Sequence, residues 1–268
     1  MITIVEPLLH IPGVQYGRAV GLILILGIFI LGIYYMRQKK LPYIRRVAAI
    51  DAIDEAVGRS TEMGKPVLCS YGRGGFAYSV IAAMSVLGHV ARIAAETDTR
   101  LLVPTGGSHT GYLTRELAVD IVRSQYQMAG KPEMFNMDDM PFLSGEQYSF
   151  TAGYIGMLVR ERPGAVIMTG GHSSEAMNIA EMANLVGALT ITSGTYVSNM
   201  AALACASDYI MLVDEQPAAG AYLSKDIEQL ATIRVIDIYK VLSLVFVVVG
   251  LILLNATGND FIRRLLAT

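Results

Sequence analysis

Residues 66–77 read PVLCSYGRGGFA, an apolar run that ends in glycines and passes directly into a helical pattern. The first part, residues 66–71, has the length and composition of a strand that is buried on both faces. Residues 76–96 follow with an apolar pattern that lacks proline and predicts a helix. This unit of strand, glycine turn and helix decides the fold, because it recurs along the chain.

Four more apolar runs repeat the pattern, each followed by a helical pattern or a turn. The runs are RLLVPT (100–105), AVIMT (165–169), ALTITS (188–193) and YIMLVD (209–214), and the helices are predicted at 110–129, 147–162, 174–186 and 197–206. A further short strand is predicted near 140–143, and a helix at 50–63 precedes the first strand. This alternation predicts an α/β fold with a doubly wound, mostly parallel Rossmann-like sheet.

The composition is more apolar than that of a soluble enzyme. Charged residues make up 16 % of the 268 residues and the mean hydropathy is +0.46, whereas soluble domains carry about 25 % charged residues. Two stretches account for much of the excess, residues 19–36 and residues 241–254. The first is about as long as the hydrocarbon core of a bilayer is thick, and the second reaches that length when it is extended to Ala256 or Gly258, so we expect two transmembrane helices. A cleaved signal peptide is disfavoured, because a basic cluster follows the first stretch.

That basic cluster also predicts the orientation. Its members lie within ten residues of the first span: Arg37, Lys39, Lys40, Arg45 and Arg46. The positive-inside rule then places the N-terminus and C-terminus outside and the middle of the chain in the cytoplasm. The predicted domains are residues 1–46 (first transmembrane helix and basic segment), 47–234 (cytoplasmic α/β domain) and 235–268 (second transmembrane helix and tail). No proline or glycine occurs from 221 to 249, which predicts one continuous helix from near Ala218 to near Leu254.

The charge of the middle domain limits its partners. Residues 47–234 hold 20 acidic and 12 basic side chains, a formal charge of −8. An acidic domain does not attract nucleic acid, so no nucleic acid partner is expected. The basic cluster beside the first span instead predicts contact with anionic membrane lipid.

Glycines and hydroxyls concentrate where the predicted strands end. The loop GRGGFA at 72–77 is a loose G-x-G-x-x-A match to the dinucleotide fingerprint, but no acidic residue ends the second strand. The loops TGGSH at 105–109 and TGGHS at 169–173 resemble each other, and SGT follows at 193–195. In open parallel sheets, ligands bind beyond the carboxyl ends of the strands.

The ligand-binding residues predicted from these loops are Gly72, Arg73, Gly74, Thr105, Gly106, Gly107, Ser108, His109, Thr169, Gly170, Gly171, His172, Ser173, Ser193 and Thr195. The functional interpretation is an anionic or carbonyl ligand held by helix N-termini, with His109 or His172 as a proton donor or acceptor and Glu175 orienting an imidazole. The structural interpretation is glycine turns with hydroxyl caps on the helices that follow.

No established catalytic pattern accompanies these loops. The sequence has no G-x-S-x-G elbow, no G-x-x-x-x-G-K-[ST] loop and no H-E-x-x-H motif. Two cysteines, Cys69 and Cys205, are too few for a disulfide framework and lie in apolar stretches, which predicts two buried thiols. We therefore assign no catalytic residue, no metal and no cofactor.

Several predicted helices have almost no polar face. Residues 80–95 carry only His89 and Arg92 as long polar side chains, and residues 199–206 read NMAALACA. A helix of this kind is buried on all sides, either within a thick monomer or against a second copy. We expect a homo-oligomer.

Seven segments resemble a family of uncharacterised prokaryotic membrane proteins, catalogued as a domain of unknown function. They are YGRAVG (16–21), YIRR (43–46), DAIDEAVGR (51–59), EMGKPVL (62–68), LGHVAR (87–92), RERP (160–163) and AYLS (221–224). The resemblance covers most of the chain and implies an α/β domain between terminal membrane spans, and the plasma membrane of a prokaryote as its location. It implies no catalytic residues.

Two functions of different class follow from these features. The first is a non-catalytic assembly or scaffold subunit on the cytoplasmic face, favoured by the missing nucleophile and cofactor motif. The second is a membrane-tethered enzyme or sensor that binds a small anionic metabolite or a nucleotide at the strand ends, favoured by the glycine and hydroxyl loops.

Overall fold

The computed structural model describes residues 16–37, 48–107, 111–213, 215–224 and 227–257. The chain divides into two compact units. One comprises residues 43–229 and contains the sheet, and the other comprises residues 1–42 and 230–268 and contains the first and last helices. The domain boundaries predicted at 46/47 and 234/235 stay a prediction.

The strands confirm the α/β fold. They are β1 (Val67–Gly72), β2 (Leu101–Leu102), β3 (Thr105–Gly106), β4 (Phe142–Ser144), β5 (Ala165–Gly171), β6 (Leu189–Ser193) and β7 (Tyr209–Met211). Five of them form one parallel sheet in the order β2-β1-β5-β6-β7, with Val67 opposite both Leu101 and Ala165.

The strand predicted at 100–105 is divided, which the sequence pattern did not reveal. Pro104 has no N–H to donate to a ladder, and the chain leaves β1 at this point. The Val103 amide donates to the Asp139 carbonyl (2.8 Å) and the Thr105 amide donates to the Pro141 carbonyl (2.9 Å). As a result β3 pairs with β4 in a separate two-stranded parallel ladder. The strand predicted near 140–143 is therefore present, shifted to Phe142–Ser144.

The helices are α1 (Tyr16–Arg37), α2 (Ala48–Glu62), α3 (Tyr78–Glu96), α4 (Gly111–Met128), α5 (Gln147–Glu161), α6 (Glu175–Leu185), α7 (Val197–Ala206), α8 (Glu215–Ser224) and α9 (Ile227–Thr257), with two 3₁₀ turns at Pro132–Met134 and Met137–Asp139. Of these, α2 to α8 belong to the unit that contains the sheet, and they pack on both of its faces, as a doubly wound fold requires. Alternate residues of β1 face opposite cores. Val67 and Cys69 pack with α2, α3, α4 and α8, and Leu68 packs with α5, α6 and α7.

The strand order has a switch point between β1 and β5. From β1 the chain moves outward to β2, β3 and β4, and then returns to β5 on the other side of β1. The two connections thus leave the centre of the sheet in opposite directions, which opens a crevice at the carboxyl ends of β1 and β5.

Two described helices are long and apolar enough to cross a membrane, Tyr78–Glu96 and the stretch Glu228–Ile252. A core helix passes the same test, and α3 is such a helix, since 61 % of it is buried. The stretch in α9 is 6 % buried. Within the second unit α1 approaches α9 closely, because a Cβ on Gly32 would lie 2.5 Å from Val235 Cγ2.

The helix predicted from 218 to 254 is described in two parts, within α8 and α9. Residues 225 and 226 between them lie outside the described residues, so continuity at that point stays a prediction. The prediction of two buried cysteines was half wrong: Cys69 is buried, whereas Cys205 is exposed on α7. The reason is that α7 buries only one of its residues, Leu203, so that Cys205 stays exposed.

Candidate functional site

Glycines bring the loops after β1 and β5 into direct contact. Gly72 and Gly170 have φ angles of 84° and 92°, which L side chains rarely adopt. A Cβ on Gly72 would lie 2.5 Å from the Gly171 carbonyl carbon, and one on Gly74 would lie 2.9 Å from Gly171 Cα. These glycines therefore let two backbones touch at the switch point, and the Arg73 amide donates to the Gly171 carbonyl (3.2 Å).

The loop after β3 joins the same cluster. A Cβ on Gly107 would lie 2.9 Å from the Arg73 carbonyl oxygen, and Gly106 packs against the ring of Phe150 on α5. On the other side, the Thr195 hydroxyl donates to the Gly170 carbonyl (2.8 Å). The four predicted loops thus meet at one edge of the sheet, apart from Ser108 and His109, which lie outside the described residues.

The side chain of Arg73 connects its own loop to the segment after β4 and to the start of α6. Its Nη1 donates to the Gly145 carbonyl after β4 (3.0 Å). Its Nε lies 3.6 Å from Glu175 Oε1, an ion pair that is too long for a hydrogen bond. The Arg73 side chain is 19 % exposed, so it also reaches the surface. The residue predicted to bind an anion is therefore partly neutralised by a carboxylate of the same chain.

Glu175 begins α6 and is buried, with 2 % of its surface exposed. Its Oε2 accepts hydrogen bonds from Ser173 Oγ (2.5 Å) and Gln147 Nε2 (2.8 Å). Burial acts to raise the pKa of Glu175, but the hydrogen bond from Ser173 and the nearby backbone N–H groups of Ser173 and Glu175 outweigh it and hold that pKa below its ordinary value. The site therefore contains a buried carboxylate that is ionised at neutral pH.

His172 is 1 % exposed, and neither ring nitrogen has a hydrogen-bond partner within the described part of the chain. Burial lowers the pKa of His172, and the nearby carboxylate of Glu175 opposes this only in part. A neutral imidazole offers one donor and one acceptor. The Ser70 backbone lies close enough to the ring to oppose the fall in the pKa of His172, but neither ring nitrogen forms a hydrogen bond with it or with another described residue.

Other buried polar atoms at this edge are unpartnered as well. Among the described residues, those without a hydrogen bond are Tyr71 Oη, Arg73 Nε, Arg115 Nε, Tyr154 Oη, Thr169 Oγ1, both His172 ring nitrogens, Glu175 Oε1 and Ser193 Oγ. Each belongs to the carboxyl end of a strand or to a helix near it. Leaving a buried polar group unpaired costs about 1–3 kcal/mol. Such a concentration at a switch point is typical of a site that a ligand or ordered water completes.

The predicted site residues divide by how their side chains are used. Thr105, Ser173 and Thr195 donate to neighbouring groups, with Thr105 bonded to the Pro141 carbonyl (3.1 Å). Thr169, His172 and Ser193 are unpartnered among the residues described. His109 lies outside the described residues, so its predicted convergence with His172 stays a prediction. Glu175 was predicted to orient an imidazole. No hydrogen bond joins it to His172, and the two bonds that its Oε2 accepts come from Ser173 and Gln147.

Sequence reasoning missed three side chains that α4 and α5 bring to this edge, Arg115, Gln147 and Tyr154. Burial raises the pKa of Tyr154 well above its ordinary value, and it raises the pKa of Tyr71 to about 12. Both tyrosines therefore stay protonated and offer a hydroxyl donor. No group of three or more His, Cys, Asp or Glu able to hold a metal ion occurs within the described ranges.

The comparisons with known proteins give a family and no activity. Searches of curated proteins and of solved structures found no match. The family model described as "Domain of unknown function (DUF6754)" matches residues 13–265, which is nearly the whole chain. The segments that suggested a domain of unknown function lie within this range, and the chain belongs to the DUF6754 family.

Proposed function

We propose that the chain is a membrane-anchored protein whose α/β domain binds a small polar ligand at the carboxyl ends of β1 and β5, as a sensor or an enzyme. The observation that carries this proposal is the group formed by Arg73, His172 and Glu175. All three have unpartnered buried atoms at the switch point, where open α/β sheets bind ligands. A domain that needed these residues only for stability would have paired them.

Membrane anchoring is supported by the exposure of apolar side chains on the second unit. Every large hydrophobic residue from Val241 to Ile252 in α9 is exposed, around the full circumference of the helix. In α1, Ile23 and Leu31 are each about two-thirds exposed. Helices that are apolar all round are stable in lipid rather than in water. Together with the basic cluster after α1, this supports two spans with both termini outside and the α/β domain in the cytoplasm.

Ligand binding is tested with full-length protein in detergent. Melting temperatures are measured against a panel of sugars, nucleosides, nucleotides and carboxylic acids. We expect at least one class to raise the melting temperature of the wild type, and His172→Leu to lose that shift. Lys131→Ala, at the opposite edge of the sheet, serves as the control and keeps the shift. A panel without any shift, or an equal shift in His172→Leu, contradicts the proposal.

The orientation is tested by labelling single cysteines in intact cells. Cys205 is exposed and is first replaced by serine, whereas Cys69 is buried. Cysteines introduced near residue 6 and after residue 254 should react with an impermeant reagent, and one at Glu133 should not. Labelling at 133 with protection of both ends would reverse the orientation.

A homo-oligomeric assembly subunit is the second candidate, favoured by α7. This helix has no charged residue and buries only Leu203, while Val197 is 77 % exposed. The other helix predicted as an interface, within 80–95, is instead covered by α4 and α8 of the same chain. We propose a second copy as the partner of α7, because anchoring in one membrane raises the effective concentration of identical chains.

The oligomer is tested by light scattering in detergent. Ala204→Glu places a charge on the exposed face of α7 and should convert the oligomer to a monomer. Ala152→Glu, at an exposed position of α5, is the matched control and should leave the mass unchanged. A wild type that is already monomeric contradicts this candidate.

A further inference from the structure

We propose that the ligand meets Glu175 through a hydroxyl group, as in a sugar or polyol, and not through a phosphate. This inference rests on the proposed function, and it names the chemical class that the site would accept. It depends on which atoms remain free around Arg73, His172 and Glu175.

The free atom of Glu175 is an acceptor without a donor. Its Oε2 is used by Ser173 and Gln147. Its Oε1 is buried and has no hydrogen bond from any described residue, and the closest cation, Arg73 Nε, is 3.6 Å away. Whatever completes this carboxylate must bring a proton donor. The dianion of a phosphate monoester has none, whereas a hydroxyl group has one.

The charges at this position also disfavour a phosphate. Glu175 is the first residue of α6 and sits where the N-terminus of that helix would otherwise attract an anion. Two like charges a few ångströms apart repel each other, and burial strengthens that repulsion. Arg73 is the balancing cation, and it already pairs with Glu175 and with the Gly145 carbonyl. A neutral group meets no such repulsion.

A hydroxyl group that lies beside the Arg73–Glu175 ion pair, whose atoms are 3.6 Å apart, satisfies both of its members. It accepts from Arg73 Nε and donates to Glu175 Oε1, and both atoms are unpartnered among the described residues. His172 then offers one donor and one acceptor for a neighbouring hydroxyl. Vicinal hydroxyls on one carbon chain match this alternation of donors and acceptors.

The experiment uses full-length protein in detergent at pH 8 with three probes, D-ribose, myo-inositol and methyl phosphate, whose dianion has no proton to donate. Binding of the two polyols is followed by saturation-transfer proton NMR, and binding of phosphate by phosphorus line broadening. We expect a polyol signal and no phosphate broadening. Glu175→Gln should weaken the polyol signal about tenfold, the loss of about 1.4 kcal/mol. Glu181→Gln, on the exposed side of the same helix, is the matched control and should bind as the wild type does.

Two results would overturn the inference. Phosphate binding that increases in Glu175→Gln would show that the ligand is an anion held by Arg73 against the carboxylate. Absence of any polyol signal, with the wild type folded by its melting curve, would show that ordered water alone satisfies Arg73 and Glu175. Neither result removes the proposed function, which fails only when the broad ligand panel gives no shift. Arg73→Met provides a second variant in case Glu175→Gln does not fold, and it should lose the polyol signal as well.

Discussion

The two edges of the sheet use their polar groups in opposite ways. At the amino edge, before β2, Arg100 donates to Asp139 (2.9 and 2.5 Å) and to Glu161 (3.0 Å). At the carboxyl edge, after β5, His172 and the Oε1 of Glu175 have no hydrogen bond from a described residue. One edge is completed by the chain itself. The other is left incomplete, which is where binding sites are found in open α/β sheets.

The hydroxyl groups follow the same division. At the amino edge, Thr99 Oγ1 is hydrogen-bonded to Thr61 Oγ1 (2.5 Å) and Thr97 Oγ1 (3.0 Å). At the carboxyl edge, Thr169 and Ser193 are buried and have no partner in the part of the chain that the structure describes. The contrast teaches that burial alone does not distinguish a stabilising residue from a binding residue. The presence or absence of a partner does.

The largest expected effect concerns the glycines of the carboxyl edge. Gly72→Ala should lower the stability by about 3 kcal/mol or more, since the new Cβ meets Gly171 backbone at a positive φ. Gly130→Ala, after α4 at the amino edge, also has a positive φ of 74° but meets nothing within 4 Å. It should cost about 1 kcal/mol. Thermal melting of both variants checks this, and equal losses would mean that the loops do not pack as closely as described.

The second prediction tests the hydrogen bonds of the amino edge. Asp139→Asn should lower the stability by about 1 kcal/mol, because it weakens the double hydrogen bond from Arg100, whose side chain is half-exposed. Asp138→Asn, one residue earlier and exposed, should change the melting temperature little. A comparable loss in both variants would show that the net charge of this loop matters, and not the pairing of Asp139.

The third prediction compares the two edges with one substitution. Thr169→Val removes an unpartnered hydroxyl without changing the shape, so it should raise the stability by about 0.5–1 kcal/mol when no ligand is bound. Thr99→Val removes a bonded hydroxyl and should lower the stability by a similar amount. If Thr169→Val is destabilising, an ordered water already completes that hydroxyl.

The fold was predictable because its signals are local. Apolar runs that alternate with helical patterns predicted the five strands of the sheet and the helices between them, to within a few residues. The break between β2 and β3 was not predictable in the same way. Pro104 marks it, but the new partner of the chain is β4, almost 40 residues later, and no local pattern specifies that pairing.

The site was predictable only in part for the same reason. Glycine and hydroxyl loops at strand ends identified Arg73, His172 and their neighbours. Gln147 and Tyr154 lie in the amphipathic pattern of α5, where polar and aromatic residues indicate packing as readily as binding. The apolar pattern of α7 predicted a partner without saying which one, and within one chain this helix buries only Leu203.

The smallest expected effect is a dependence of stability on pH that arises from His172. Burial lowers the pKa of His172 in the folded chain, so the unfolded chain binds a proton more readily. Stability should therefore fall as the pH drops below about 6.5, the ordinary pKa of histidine. For one such group the loss between pH 7 and pH 6 is at most about 0.7 kcal/mol. The pKa of Glu175 is also lowered, but that carboxylate loses its contribution to stability only at more acidic pH.

Melting curves of the wild type and of His172→Leu, each at pH 7 and pH 6, separate the contribution of His172 from that of Glu175. When the pH falls from 7 to 6, the wild type should lose more stability than His172→Leu. A constant difference would mean that the imidazole can take up its proton in place, and hence that the carboxyl edge is less closed than its buried side chains indicate.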